Sequence, residues 1–161
     1  MSQKPSPSSL LPLVGWREWA ALPDLGVASI KAKVDTGART SSLHAADLRI
    51  TRRDDRDIVE FTVYPLQRST AGHLRVSAPL VEERDVRSST GESQRRPVIL
   101  TPIRIGESTF PVELTLTRRD RMGFRMLIGR TALRRRFLVD AGSSYLQNPR
   151  PDTPDRTEPS P

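Results

Sequence analysis

A short stretch that ends in Asp-Thr-Gly constrains this 161-residue chain more than any other feature. Residues 30–34 alternate apolar and basic side chains, a pattern typical of a strand with one buried face. Asp35, Thr36 and Gly37 then stop the strand abruptly. Because glycine has no Cβ, the backbone can turn sharply at Gly37 and bring amide groups close to the Asp35 carboxylate. The same residues also fit an ordinary Asx-type turn, so the motif alone leaves both interpretations open.

A second segment, Phe-Arg-Met-Leu-Ile-Gly-Arg at residues 124–130, shifts the balance from a plain turn toward a functional loop. An apolar run of the buried type ends here at Ile128, and Gly129 and Arg130 follow it. The Arg130 guanidinium is expected to support the site by donating hydrogen bonds to loop carbonyls or to a carboxylate. A surface cation at the start of a helix would oppose the helix dipole, which disfavours that alternative.

Asp-Thr-Gly-Ala, followed later by two apolar residues, Gly and Arg, resembles the retropepsins, the half-sized aspartic proteases. The likeness extends to the bacterial retropepsin-like group long labelled "ATP-dependent zinc protease". The stretches that carry it are residues 15–19, 22–23, 31–45, 96–98 and 126–130. The resemblance covers roughly residues 14–146 and is most specific in the first and last thirds of the chain.

This resemblance implies an all-β, retropepsin-like fold, a closed or partly open barrel with one short C-terminal helix. In that family the Asp-Thr-Gly motif carries the catalytic aspartate, and the Gly-Arg motif packs beneath it. Asp35 is therefore expected to position and deprotonate the attacking water, while Thr36 braces the loop and Gly37 shapes it. Residues 128–130 are expected to support the site from below.

Four residues are expected to contact substrate: Ala38, Arg39, Gly91 and Arg96. Gly91 lies in a polar segment, residues 88–93, between extended arms at 81–87 and 96–105. Two such arms around a polar tip predict a hairpin. By its order in the chain this hairpin resembles the flap that closes over bound peptide in retropepsins and excludes water. An ordinary surface hairpin is the alternative.

An isolated carboxylate is a poor general base at neutral pH, whereas two carboxylates pressed together share one proton, as in aspartic proteases. The chain has one Asp-Thr-Gly, so the resemblance implies a two-fold homodimer with Asp35 of each subunit on the axis. A one-chain pair of Asp35 with Asp140 is disfavoured, because a second lobe would need a second set of strands. Asp140 is expected to cap the terminal strand or to pair with an arginine.

No metal or other cofactor is expected. A catalytic zinc usually has three protein ligands, but the only histidines are His44 and His73, and the His-Glu-x-x-His pattern is absent. A Walker-type phosphate loop is absent from the sequence as well. Ser41, Ser42, His44 and Asp35 include the residue types of a serine triad. Their crowding into one loop favours structural roles for both serines and for His44.

Length and composition predict one soluble domain with a small core rich in Val, Ile and Leu. There is no cysteine, no apolar core of a secretory signal and no stretch long enough to span a bilayer, so a cytoplasmic protein is expected. Residues 1–12 are expected to form a disordered leader and residues 147–161 a disordered Pro-rich tail. The peptidase domain is assigned to residues 13–146.

Many short strands with turn signals between them are predicted within this domain. The clearest are at residues 58–64, 74–78, 98–105, 110–116 and 137–140. The one predicted helix covers residues 132–137, and residues 47–57 are predicted to be a polar connection. Trp16 and Trp19 are expected to be lids over the core rather than platforms for a ligand.

The formal charge of +7 fits an acidic partner. Members of the retropepsin-like group are associated with ATP-grasp ligases that add glutamate to proteins. This link implies an acidic or glutamate-modified substrate, whose carboxylates Arg39, Arg96 and the basic loop at residues 118–121 are suited to bind. Two alternatives stay open: an inactive binding module of the same fold, and a basic nucleic-acid-binding β-domain. The second is disfavoured because no interleaved aromatic platform is evident in the sequence.

Overall fold

Short strands dominate the computed structural model, which describes residues 11–67, 69–87, 90–118 and 123–147. The strands are β1 (Leu13–Val14), β2 (Arg17–Leu22), β3 (Val27–Val34), β4 (Ser41–His44), β5 (Ala46–Arg53), β6 (Arg56–Val63), β7 (Leu74–Arg87), β8 (Ser93–Ile105), β9 (Ser108–Thr117), β10 (Met126–Ile128) and β11 (Leu138–Val139). A 3-10 turn covers Pro23–Leu25, and helix α1 covers Arg130–Leu133. Most of the predicted leader and tail lies outside the described residues.

Six strands close into a barrel. Their order around it is β2, β3, β10, β4, β9 and β8, and β2 meets β8 again where Ala21 pairs with Arg104. The strands β7, β6 and β5 continue the sheet outward from β8 and end at β5. Closure pairs strand edges that would otherwise be open to another chain. The predicted all-β barrel with one short helix is confirmed for the described part of the chain.

The alternation predicted for the strand before the Asp-Thr-Gly motif is present in the barrel wall. On β3, Ile30, Ala32 and Val34 are buried in the core. Lys31 and Lys33 lie between them and are half-exposed on the opposite face. Full burial of one such aliphatic side chain contributes about 1.5–3 kcal/mol. The inward face of β3 therefore fixes the end of this strand against the core.

The predicted hairpin around residues 88–93 is present and larger than expected. Strands β7 and β8 pair antiparallel, and Arg87 lies opposite Ser93. Residues 88 and 89 of the tip lie outside the described residues. The strand predicted at residues 74–78 is not separate from the first arm: both belong to β7, which pairs first with β6 and then with β8. The predicted strands at 58–64, 98–105 and 110–116 are confirmed.

The prediction of a polar connection at residues 47–57 is wrong. Strands β5 and β6 form a second hairpin there, and its turn places Asp54 and Asp55 at φ 49° and 63°. Two successive left-handed residues are the conformation of the tight turns that join twisted strands. The pairing was missed because residues 52–57 are all charged, which obscured the short alternation of Leu48 and Ile50 with polar residues before them.

The helix lies earlier in the chain than residues 132–137, where it was predicted. It begins directly after Gly129 and ends at Leu133, because Arg134 leaves the helical path at φ −58° and ψ 127°; Arg135 follows with a left-handed φ of 66°. Strand β11 is correspondingly shorter than the predicted 137–140 and pairs in parallel with β1. Within the described residues, no helix has the length and apolar character that a bilayer crossing requires.

A buried carboxylate ties both ends of the domain together. Glu18 is fully buried on β2 and accepts backbone hydrogen bonds from Gly15 (2.7 Å), Leu146 (2.7 Å) and Gln147 (3.2 Å). A Cβ at Gly15 would lie 2.1 Å from the Ser143 carbonyl oxygen, so this approach requires glycine. No local pattern reveals this clamp, because two of the three partners of Glu18, Leu146 and Gln147, lie at the other end of the domain.

Replacing Glu18 with glutamine should destabilise the domain by about 3 kcal/mol, because a side-chain NH2 would face backbone N–H donors that the carboxylate now satisfies. Glu107→Gln, on the exposed turn between β8 and β9, is the matched control. Urea unfolding followed by circular dichroism measures both. Equal midpoints for the two variants would contradict the role of Glu18 as a clamp.

Candidate active site

Asp35 directly follows β3, and its carboxylate is held on one side only. Its amide donates to the Ile128 carbonyl on β10 (2.9 Å). Its Oδ1 atom accepts the amides of Gly37 (2.9 Å) and Ala38 (3.2 Å). The side chain is half-buried, and Oδ2 makes no hydrogen bond to any described residue. The carboxylate is therefore fixed in orientation and keeps one oxygen open.

The loop geometry agrees with the sequence argument about Gly37. A Cβ at this position would lie 3.2 Å from Asp35 Oδ1, closer than most such contacts. Thr36 is exposed, and its carbonyl accepts a hydrogen bond of 2.9 Å from Arg130 Nη1. Among the described residues its hydroxyl has no hydrogen-bond partner, so bracing by that hydroxyl stays a prediction. The expected hydrogen bond from Arg130 to a loop carbonyl is present.

The segment after β10 docks under this loop through backbone contacts. The amide of Arg130 donates to the Ala38 carbonyl (2.7 Å), and Thr131 donates to the Arg39 carbonyl through its amide (3.1 Å) and hydroxyl (2.9 Å). A Cβ on Gly129 would lie 2.6 Å from the Thr40 carbonyl carbon. Only glycine permits this approach, so the Gly-Arg pair is a docking element for the Asp35 loop.

Ser41 completes the support from inside the barrel. It is fully buried, and its hydroxyl oxygen accepts the Gly129 amide at 2.9 Å. Ser42 and His44 on the same strand are buried too, and the His44 ring lies 5.6 Å from the Tyr64 ring. This placement agrees with the structural roles favoured for both serines and His44.

A cleft of about 490 Å³ opens beside the loop, between α1 and the middle parts of β8 and β9. Arginines 39, 84 and 136 line it together with Glu113. Arg84 is paired with Glu82 (2.8 Å) and Glu113 (3.3 Å), and the hydrogen bond to Glu82 is the main cause of its raised pKa. Sequence reasoning found Arg39 but missed the two others, which come from distant segments.

The remaining predicted substrate residues do not line this cleft. Arg96 lies opposite Arg84 in the β7–β8 pair and is half-buried; burial lowers its pKa, and its Nε atom has no hydrogen-bond partner. Gly91 lies near the hairpin tip at φ 88° with open space around it. Ala38 contributes its backbone to the loop. Of the basic loop predicted at 118–121, residues 119–121 lie outside the described residues.

Asp140 is engaged in a turn of its own. Its Oδ1 accepts the Gly142 amide (3.0 Å), and its Oδ2 accepts the Ser143 hydroxyl (2.8 Å). The Ser143 hydrogen bond is the main cause of its lowered pKa. The structure therefore agrees with a cap after β11. In the described ranges, no three His, Cys, Asp or Glu side chains come together as a metal site.

A closed barrel with an Asp-Thr-Gly loop at a strand end and a Gly-Arg segment docked beneath it defines the retropepsin-like class. The model of a family described as "RimB-like: Retropepsin-like aspartic endopeptidase RimB" matches residues 13–150. The chain therefore belongs to the RimB-like family of retropepsin-like aspartic endopeptidases, and the resemblance predicted from its motifs is confirmed.

Similar proteins include two named "Probable alpha-L-glutamate ligase". The one from Shewanella pealeana is 47% identical over 133 residues, which are 83% of this chain and 29% of that protein. The one from Parasynechococcus marenigrum is 46% identical over 133 residues, covering 83% and 28%. The chain thus spans less than a third of the curated relatives it matches. A solved Legionella pneumophila protein of unknown function has a TM-score of 0.71 and 26% identity, covering 85% of this chain and 98% of that one.

The contact between Gly129 and the loop generates a stability prediction. Gly129→Ala should destabilise the domain by about 2 kcal/mol, because its Cβ meets backbone atoms of Thr40 that cannot rotate away. Gly142→Ala is the control, since its Cβ would lie at an ordinary 3.6 Å from Asp140 Oδ1. Thermal unfolding measures both variants, and a Gly129→Ala protein as stable as the control would contradict the docking role.

Proposed function

We propose that the protein is an aspartic endopeptidase whose active form is a two-fold homodimer, with Asp35 from each subunit facing the other. The single observation that carries this proposal is the asymmetric environment of the carboxylate. Oδ1 is anchored by two amides, whereas Oδ2 is open. An anchored carboxylate with one open oxygen suits a group that must hold a water molecule or share a proton with a twin.

The reaction needs both members of the pair. The ionised carboxylate takes a proton from water while the water oxygen attacks the peptide carbonyl carbon, and the protonated carboxyl gives its proton to the carbonyl oxygen. The resulting diol collapses when the protonated carboxyl gives its proton to the amide nitrogen, the C–N bond breaks, and one diol hydroxyl returns a proton to the other carboxylate. Free acid and amine products leave, and the pair again holds one proton.

The second carboxylate has to come from another copy of the chain. The sequence contains one Asp-Thr-Gly, and both oxygens of Asp140 are occupied in its own turn. In this proposal the β7–β8 hairpin acts as a flap with Gly91 at its tip, and Ala38 contacts the bound peptide. We also propose that the protein acts in the cytoplasm, as the sequence predicts.

Asp35→Asn should lower kcat/KM for peptide cleavage at least about 100-fold, because an amide cannot serve as the general base. The asparagine oxygen can still accept the loop amides, so unfolding should be unchanged. Asp140→Asn is the control and should keep its activity. Cleavage that persists in a purified Asp35→Asn protein would favour an inactive binding module contaminated by another peptidase, or a different catalytic residue.

The preferred substrate in this proposal is an acidic or glutamate-modified polypeptide. Arg39 and Arg136 line the cleft beside the catalytic loop, and neither has an acidic partner among the described residues. The Arg136 guanidinium lies 4.3 Å from the Phe110 ring centre, which holds it in place. Relatives named as probable glutamate ligases suggest a functional link with glutamate addition. Arg96 is an additional candidate for binding a carboxylate.

Arg39→Gln should lower kcat/KM about tenfold for a glutamate-rich peptide and leave a neutral peptide unaffected, because one charge-assisted contact is lost. The Arg39 carbonyl that binds Thr131 is unchanged by this substitution, so the loop should stay docked. Arg52→Gln, on the opposite end of the sheet at β5, is the control. Equal losses on acidic and neutral peptides would argue against a role in charge recognition.

A further inference from the structure

A second and larger cleft, of about 790 Å³, lies outside the candidate active site. One wall is formed by Trp16, which precedes β2, and by the outer face of β2 and β3, with Arg17, Trp19 and Lys31. The other wall comes from the segments that follow β6 and precede β10, and Phe124 belongs to it. We call it the tryptophan cleft. Trp16 and Trp19, which the sequence predicts to be lids over the core, are half-buried and partly accessible from this cleft.

Aromatic rings and cations alternate along this wall. The Arg17 guanidinium lies 4.6 Å from the Trp16 ring centre and 5.0 Å from the Tyr145 ring centre. Tyr145 stacks on Trp19 at 5.8 Å, and Lys31 Nζ lies 5.3 Å from the Trp19 ring centre. These contacts hold both cations in fixed positions on the surface.

The charge of the tryptophan cleft is uncompensated. None of the described residues that line it is acidic. Among the described residues, Arg17 has only ring contacts and a 3.1 Å hydrogen bond to the Ser144 hydroxyl, and Lys31 forms no ion pair. Two positioned cations beside apolar ring surface complement a ligand that carries carboxylates next to apolar groups.

We propose that the tryptophan cleft is a docking site for an extended, acidic segment of the polypeptide substrate, away from the bond that is cleaved. Its aromatic lining suits an extended chain, and Arg17 and Lys31 bind the carboxylates of that chain. A nucleic-acid strand fits less well. Arg17 and Tyr145 already cover ring faces on which bases would stack.

A backbone hydrogen bond joins one residue of the cleft to the strand that leads into the Asp35 loop. The Trp16 carbonyl accepts the Val34 amide at 2.8 Å, and Val34 immediately precedes Asp35. A residue that lines the cleft therefore lies beside the strand end that carries Asp35. The assignment of the bound segment to the substrate rests on the proposed peptidase function, whereas binding of an acidic peptide at the cleft is independent of hydrolysis.

Intrinsic fluorescence tests the proposal directly, because both tryptophans of the chain line this cleft. The Asp35→Asn protein, which should not cleave, is titrated with a short synthetic peptide of alternating glutamate and proline. We expect a saturable emission change that weakens with salt. The matching glutamine–proline peptide should give none. Lys31→Glu should weaken binding about tenfold or more, whereas Arg52→Gln should not.

Three results would overturn the docking site. One is an emission change that survives Lys31→Glu but is lost in Arg39→Gln, which moves binding to the other cleft. Another is equal binding of the neutral peptide. The third is tighter binding of single-stranded DNA than of the acidic peptide. If the unsubstituted protein binds the acidic peptide without cleaving it, the peptidase proposal fails and the docking site stands. If it cleaves the peptide and Lys31→Glu leaves cleavage unchanged, the docking site fails and the peptidase proposal stands.

Discussion

The approach of the Gly129 backbone to the loop at residues 38–40 is the constraint on which the candidate site depends. With no Cβ at this position, the loop carbonyls come within hydrogen-bond distance of the amides that follow β10. Ser41 satisfies the Gly129 amide from inside the barrel. Because most of these contacts join backbone atoms, they set the loop position more firmly than contacts between exposed side chains could.

The position of the carboxylate follows from this docking. The β10 strand fixes the Asp35 amide, and the loop turns its own amides onto Oδ1. Nothing among the described residues engages Oδ2, so the fold holds the group in place and leaves this oxygen open. The cleft beside the loop and the tryptophan cleft both present arginine or lysine side chains at the surface. This distribution is consistent with a substrate that carries carboxylates.

The parts of the fold with a clear local pattern could be predicted from the sequence. The alternation before Asp35, the glycine turn and the β7–β8 hairpin are all encoded by neighbouring residues. Prediction failed for residues 47–57, where the charged run at 52–57 obscured the hairpin, and for the helix, which begins directly after the docked Gly129 and ends before Arg134. The Glu18 clamp and the arginine cleft join segments far apart in the chain, so no local pattern reveals them.

The central claim is that two copies of Asp35 work as one catalytic unit. Mixing unsubstituted protein with equal amounts of Asp35→Asn protein, after subunit exchange, tests it most directly. If each active dimer needs two aspartates, peptidase activity at constant total protein should fall to about one quarter of the unmixed value. A fall to only about one half would mean that each subunit acts alone, and would contradict the account.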